Sequence, residues 1–146
     1  MPTGRQNRFV NQNLPRSVIV IAGLHLLAAL LFGALAHIDS SNQFPDLVVN
    51  DDSNFAVGLY ANRNIGVGLG LLVALLLQSR MAVFGLMGAR FITDVADLVM
   101  AFTQVESAGE VVGQLIFFGV LLLSELYVLR TLFRREAGHN TQEITS

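Results

Sequence analysis

The sequence predicts an all-α fold, a four-helix transmembrane bundle of antiparallel up-down hairpins with both termini in the cytoplasm. Three observations predict it. Four apolar stretches, at residues 17–36, 56–77, 81–102 and 111–133, each approach the length of about 20 residues that crosses a hydrocarbon core. Of the 146 residues, 53% are hydrophobic and only 14% charged, and the mean hydropathy is +0.57, outside the balance of a water-soluble domain. The basic residues are all arginine, and seven of the nine gather at the same end of the stretches.

Helix 1 follows Arg5, Arg8 and Arg16 and ends near Ala34 and Ala36, a pattern shared with cleaved signal peptides. Three further spans and an overlong apolar run favour its retention. The connection over residues 37–54 is rich in Ser, Asn and Asp and reads as a solvated loop, in which Pro45 lies within an apolar segment, 44–49, suited to the membrane surface. Helix 2 reads FAVGLYANRNIGVGLGLLVALLL. Its Gly66, Gly68 and Gly70 make a GxGxG, but no strand precedes them and no βαβ unit surrounds them, so a dinucleotide site is excluded. Gly66 and Gly70 instead predict a small-residue packing face that, shared with Arg63 and Ala74, would bury Arg63 against another helix.

Residues 78–80 join helices 2 and 3, a connection so short that it forces an antiparallel hairpin. After helix 4 the polar segment 137–146 reads as a disordered cytoplasmic tail on a single domain over 1–136. Orientation follows from Arg5, Arg8, Arg16, Arg80, Arg130, Arg134 and Arg135, which fall on one side. Asp39, Asp46, Asp51, Asp52, Glu106 and Glu110 fall on the other. The positive side faces the cytoplasm.

Cysteine is absent, which excludes disulfides, thiolate nucleophiles, CxxC redox chemistry and the small thiol-redox membrane bundles. The few, end-localised basic residues exclude nucleic acid as a partner. His25 has no second histidine at matching depth, since His37 belongs at the external interface, so haem ligation is not expected. Asp51, Asp52 and Asn54 match no calcium loop and read as a solvated turn. Phe117, Phe118 and Tyr127 read as packing and interface residues. No cofactor or metal is expected.

Arg90, Asp94 and Asp97 stand at i, i+4 and i+7 and form one stripe on helix 3, which Gln104 extends outward. A charge in hydrocarbon costs on the order of 2.5–3.5 kcal/mol, so the stripe must face the bundle interior. At about 1.5 Å rise per residue, Arg63 lies roughly 10 Å from the external end and Asp97 roughly 9 Å, with Asp94 one turn deeper. Arg63 is therefore expected to meet both carboxylates. Arg90, Glu125 and His25 fall at about 20, 22 and 18 Å and make a second, deeper group. Two arginines against three carboxyls leave one negative charge in excess, so one proton is expected on His25 or on a carboxyl. The candidate acid–base residues are Asp94 and Asp97, with Arg63 between them; the candidate ligand-binding residues are Asn62, Asn64, Arg90, Glu125 and His25. A structural ion-pair network that fixes helix register is the competing reading of the same charges.

The N-R-N and glycine-rich stretch of helix 2, the turn ending in Arg80 and the R-F-x-T-D-x-x-D of helix 3 carry a family resemblance. Over residues 62–102 the chain resembles small four-helix bacterial membrane proteins, loosely the DoxX-like group. The resemblance implies the four-helix architecture and a bacterial inner membrane, and no residue role.

Three classes of function fit the charges. The outer group is suited to bind a small lipophilic molecule in the bilayer. With one aspartate as base and the other as acid, the same pocket is suited to a membrane-embedded hydrolase or isomerase acting on a lipophile. The column from His25 and Glu125 through Arg90 to Asp94 and Asp97 is also suited to proton or ion conduction in a homo-oligomer, or to an accessory subunit of a larger membrane complex.

Overall fold

The computed structural model describes residues 13–38, 51–102 and 108–144, with the backbone alone at 51–53, 108 and 135–144. The apolar segment 44–49, Gln104 and the acidic residues Asp39, Asp46 and Glu106 lie outside the described residues. Among the described residues there are four helices: α1 (Arg16–Ile38), α2 (Asp51–Leu76), α3 (Arg80–Phe102) and α4 (Ala108–Ile144). No strand occurs among the described residues.

Among the described residues three helices are long and apolar enough to cross a membrane: α1 throughout, Asn54–Leu76 in α2 and Gly109–Arg134 in α4. Helix α3 equals α1 in length at 23 residues, yet every 18-residue window of it contains Arg90, Asp94 and Asp97. Its charge, not its length, sets it apart. The helices also outrun the apolar stretches. Helix α2 starts at Asp51 rather than residue 56, and α4 continues to Ile144, through most of the segment whose polarity suggests a disordered tail. Hydropathy marks where a span ends, whereas a helix ends at a breaker, and no proline follows Pro45.

Buried positions recur at spacings of three and four: Val18, Ala22, His25, Ala29, Gly33 and Ala36 in α1; Val57, Ala61, Asn64, Gly68, Leu71 and Ala74 in α2; Val83, Met87, Arg90 and Asp94 in α3; Glu125, Val128 and Leu132 in α4. That period turns one narrow stripe of each helix inward. Helix α1 packs chiefly on α2 and α4 on α3, and the two pairs meet through α2 with α3 and, more lightly, α1 with α4. The outward faces stay apolar, with Leu24, Leu27 and Leu31 of α1 and Ile116, Val120 and Leu123 of α4 all exposed.

The glycine contacts correct the sequence reading. A Cβ on Gly33 would lie 2.9 Å from the carbonyl oxygen of Ala61, and one on Gly68 would lie 2.8 Å from Leu30 Cδ2. These two glycines make the close approach of α1 to α2. Gly70 faces Leu86 of α3 at 3.1 Å, while Gly66 faces open space, so Gly66 and Gly70 share no packing surface and do not bury Arg63.

The α2–α3 turn closes by backbone hydrogen bonds from Gln78 N to Leu75 O (3.1 Å) and from Ser79 N to Ala74 O (3.0 Å), a Schellman ending with Gln78 at φ 50°. Glycine is the usual residue there. Here the Gln78 amide supplies two bonds that glycine lacks, donating to Leu75 O at 2.9 Å and accepting from Leu14 N at 3.3 Å, which ties the segment before α1 to the turn. Ser79 Oγ then caps α3 by accepting from Ala82 N at 3.3 Å.

Candidate functional site

The stripes of all four helices converge on one polar cluster. Arg90 of α3 is its hub: Nη1 donates to Asn64 Oδ1 of α2 at 3.4 Å, and Nε lies 3.4 Å from Asp94 Oδ2 and 3.5 Å from Glu125 Oε1 of α4. Asn64 is held in turn by donating from Nδ2 to the carbonyl of Tyr60, one turn earlier, at 3.0 Å. His25 Nδ1 of α1 lies 3.5 Å from the same Oε1 of Glu125. His25 Nε2 contacts Ser124 Oγ at 2.8 Å, and Ser124 donates to Leu121 O at 2.7 Å.

Glu125 has 0% exposure, and His25, Asn64, Arg90 and Asp94 are all buried. Burial at this depth makes every polar atom need a partner. Five atoms of the cluster lack a hydrogen bond: His25 Nδ1, Arg90 Nε, Asp94 Oδ2 and both carboxyl oxygens of Glu125. The ion-pair distances of 3.4 and 3.5 Å bring charges together without well-formed hydrogen bonds.

A second pair stands outside the cluster. Arg63 Nη2 donates to Asp97 Oδ2 at 2.6 Å and Nη1 to Oδ1 at 3.4 Å, a two-pronged bridge from α2 to α3. The Tyr60 ring lies beneath the guanidinium, 5.4 Å from its centroid to Cζ. At 37% and 34% side-chain exposure, this pair is far more open than the Arg90 cluster.

A cavity of about 490 Å³, within the range of small-molecule sites, borders the cluster through Asn64, Arg90 and Asp94 and the outer pair through Asp97. Asn64, Arg90, Asp94 and Asp97 of α2 and α3 line it, with Tyr60 beside them, and α1 and α4 contribute Phe32, Phe117, Phe118 and Leu121. Phe117 stands edge to face with both Phe32 (6.4 Å) and Phe118 (5.4 Å), which fixes the three rings as a stack of edges and faces.

No family model matches the chain, and neither does any curated protein or solved structure.

The structure brings together seven of the eight residues singled out by sequence: the deep group His25, Arg90 and Glu125, with Asp94 and Asn64, and the outer pair Arg63 and Asp97. Arg63 bridges Asp97, while Asp94 pairs with Arg90, so the expected meeting of Arg63 with both carboxylates resolves into two separate pairs. Asn62 is exposed and faces His37 Nε2 at 3.2 Å on the α1–α2 seam, away from the cavity. Sequence reasoning missed Tyr60 and Ser124. Each had a signal: Tyr60 is three residues before Arg63 on the same helix face, and Ser124 adjoins the buried Glu125.

Proposed function

We propose that the chain is a four-helix bundle of the bacterial inner membrane, both termini cytoplasmic, whose central cavity binds a small lipophilic molecule. The observation that carries the reading is a cavity lined both by the aromatic rings Phe32, Phe117 and Phe118 and by the polar groups Asn64, Arg90, Asp94 and Asp97. Apolar pockets with a few convergent polar groups are the usual form of a small-molecule site. A ligand with an apolar body and a polar head matches both sets at once, and in a bilayer it enters laterally or from the external half. The outward leucines and isoleucines of α1 and α4 support lipid as the surroundings, and the arginine distribution supports the orientation. The resemblance to DoxX-like proteins supports the compartment.

Native mass spectrometry of the protein, released from membranes, tests the reading. Wild type is expected to carry a co-purifying lipophile that Ala28→Trp, which fills the cavity from α1, lacks while keeping its fold. An adduct of equal occupancy in both proteins would contradict it.

One observation favours a second reading, acid–base catalysis on the bound lipophile. Asp94 and Asp97 face the same cavity but are compensated differently, one by buried Arg90 and the other by half-exposed Arg63. Two carboxyls in unlike surroundings are what an acid and a base require. Catalysis predicts that Asp97→Asn retains the ligand unconverted, whereas binding alone predicts the same molecule from both proteins.

A further inference from the structure

The charges at the deep end of the cavity do not balance. Asp97 has its own cation in Arg63, at 2.6 Å. Arg90 is left facing both Asp94 and Glu125, at 3.4 and 3.5 Å. From α1 the set is faced by His25, from α2 by Asn64, Tyr60 and the already paired Arg63, and from α4 by Glu125 with Ser124 beyond it; Glu125 also lies against the Asp94 carboxyl of α3, within side-chain hydrogen-bond reach. One guanidinium therefore stands against two carboxyls and an imidazole.

The hydrogen positions follow from the acceptors. Ser124 Oγ gives its one hydrogen to Leu121 O at 2.7 Å, so its 2.8 Å contact with His25 takes a hydrogen carried on Nε2. Nδ1 of a neutral ring is then bare, and it faces a carboxyl oxygen of Glu125 at 3.5 Å. One proton between those two atoms, on either of them, turns a contact of two acceptors into an attractive one. The same proton brings Arg90, Asp94, Glu125 and His25 to zero net charge. Without it the set carries one uncompensated negative charge, buried on all sides but the cavity wall. An uncompensated charge is costly there, so the site holds either that proton or another cation.

Resting on the cavity-binding reading, we propose that the ligand is a lipophilic organic monocation, an amine whose ammonium donates to Asp94 in the cavity, and that it binds in exchange for the single proton that Glu125 shares with its neighbours His25 and Asp94. Charge is conserved: one ammonium enters and one proton leaves to solvent. The Asp94 carboxyl lines the cavity and is the acceptor it meets, while its Oδ2 stays turned to Arg90. Phe32, Phe117 and Phe118 take the apolar body. An anionic head would add to the excess charge, and a neutral head would leave it unchanged.

Calorimetric titration of the full chain in lipid nanodiscs reads affinity and proton count together when run in two buffers of different ionisation enthalpy. The probes are 1-adamantylamine and its neutral isostere 1-adamantanol. The amine is expected to bind at least tenfold tighter than the alcohol and to release about one proton, its affinity rising close to tenfold per pH unit while the proton is being displaced. Glu125→Gln removes the excess carboxyl, so the proton release and the amine's advantage over the alcohol are both expected to disappear. If that variant fails to fold, the wild-type proton count still decides. Equal affinities with no proton released would overturn the exchange and leave the cavity reading standing; binding of neither probe would overturn both.

Discussion

Arg90 and Asp97 differ in what their removal leaves behind. Arg90→Met strips the compensation from Asp94 and Glu125, both buried, and is expected to cost about 3–5 kcal/mol. Asp97→Asn opens one polar contact between two helices at a half-exposed position, and contacts of that kind in membranes are worth about 0.6 kcal/mol, up to about 1.7. Denaturation in mixed micelles is expected to show the larger loss for Arg90→Met; the reverse order would move the structural weight to the outer pair. The deep group was legible because depth counts reliably along straight helices: His25, Arg90 and Glu125, on three different helices, met where the rise per residue puts them. Azimuth was the weaker coordinate. Asn62, Arg63 and Asn64 are successive residues, each about 100° around the helix from the last, so all three cannot face one cavity. Asn64 turned inward and Asn62 went to the α1 seam.

At the scale of elements, the glycines of α1 and α2 separate packing from tolerance. Gly33→Ala drives a methyl against the Ala61 backbone carbonyl at 2.9 Å and is expected to cost about 1–3 kcal/mol, because that backbone cannot turn aside as a side chain does. Gly66→Ala meets nothing within 4 Å and is expected to be neutral or stabilising by up to about 1 kcal/mol through helix propensity. Melting temperatures of the two variants, compared in the same detergent, check the contrast, and equal losses would contradict it. In the sequence the glycine spacing fitted more than one face of α2. The deciding signal was the run of Val57, Ala61, Asn64, Gly68 and Leu71, which puts Gly68 inward and Gly66 outward. Element ends were the other difference: the start of α2 at Asp51 and the length of α4 are invisible to hydropathy, which registers lipid contact rather than backbone hydrogen bonding.

Across the whole molecule, the absence of cysteine makes topology directly measurable. Single cysteines at Ser79 and Ser146 are expected to react with impermeant maleimide only after the cytoplasmic side is opened, and one at Ser41 to react in intact cells; the opposite pattern would invert the positive-inside assignment. Helix number and the α2–α3 hairpin were readable because apolar length and a short connection each leave one solution. The cavity was not readable. Its aromatic lining comes from Phe32, Phe117 and Phe118, on helices far apart in the chain, and their convergence depends on how the α1–α2 and α3–α4 pairs meet. Photolabelling in membranes with 2-aziadamantane, followed by peptide mapping, tests the central claim most directly. If the cavity holds a lipophile, label will concentrate on Phe32, Phe117, Phe118 and Leu121 and be lost in Ala28→Trp. Label spread over the outward Leu24, Leu31, Val120 and Leu123, unchanged in that variant, would show that lipophiles meet only the outer surface.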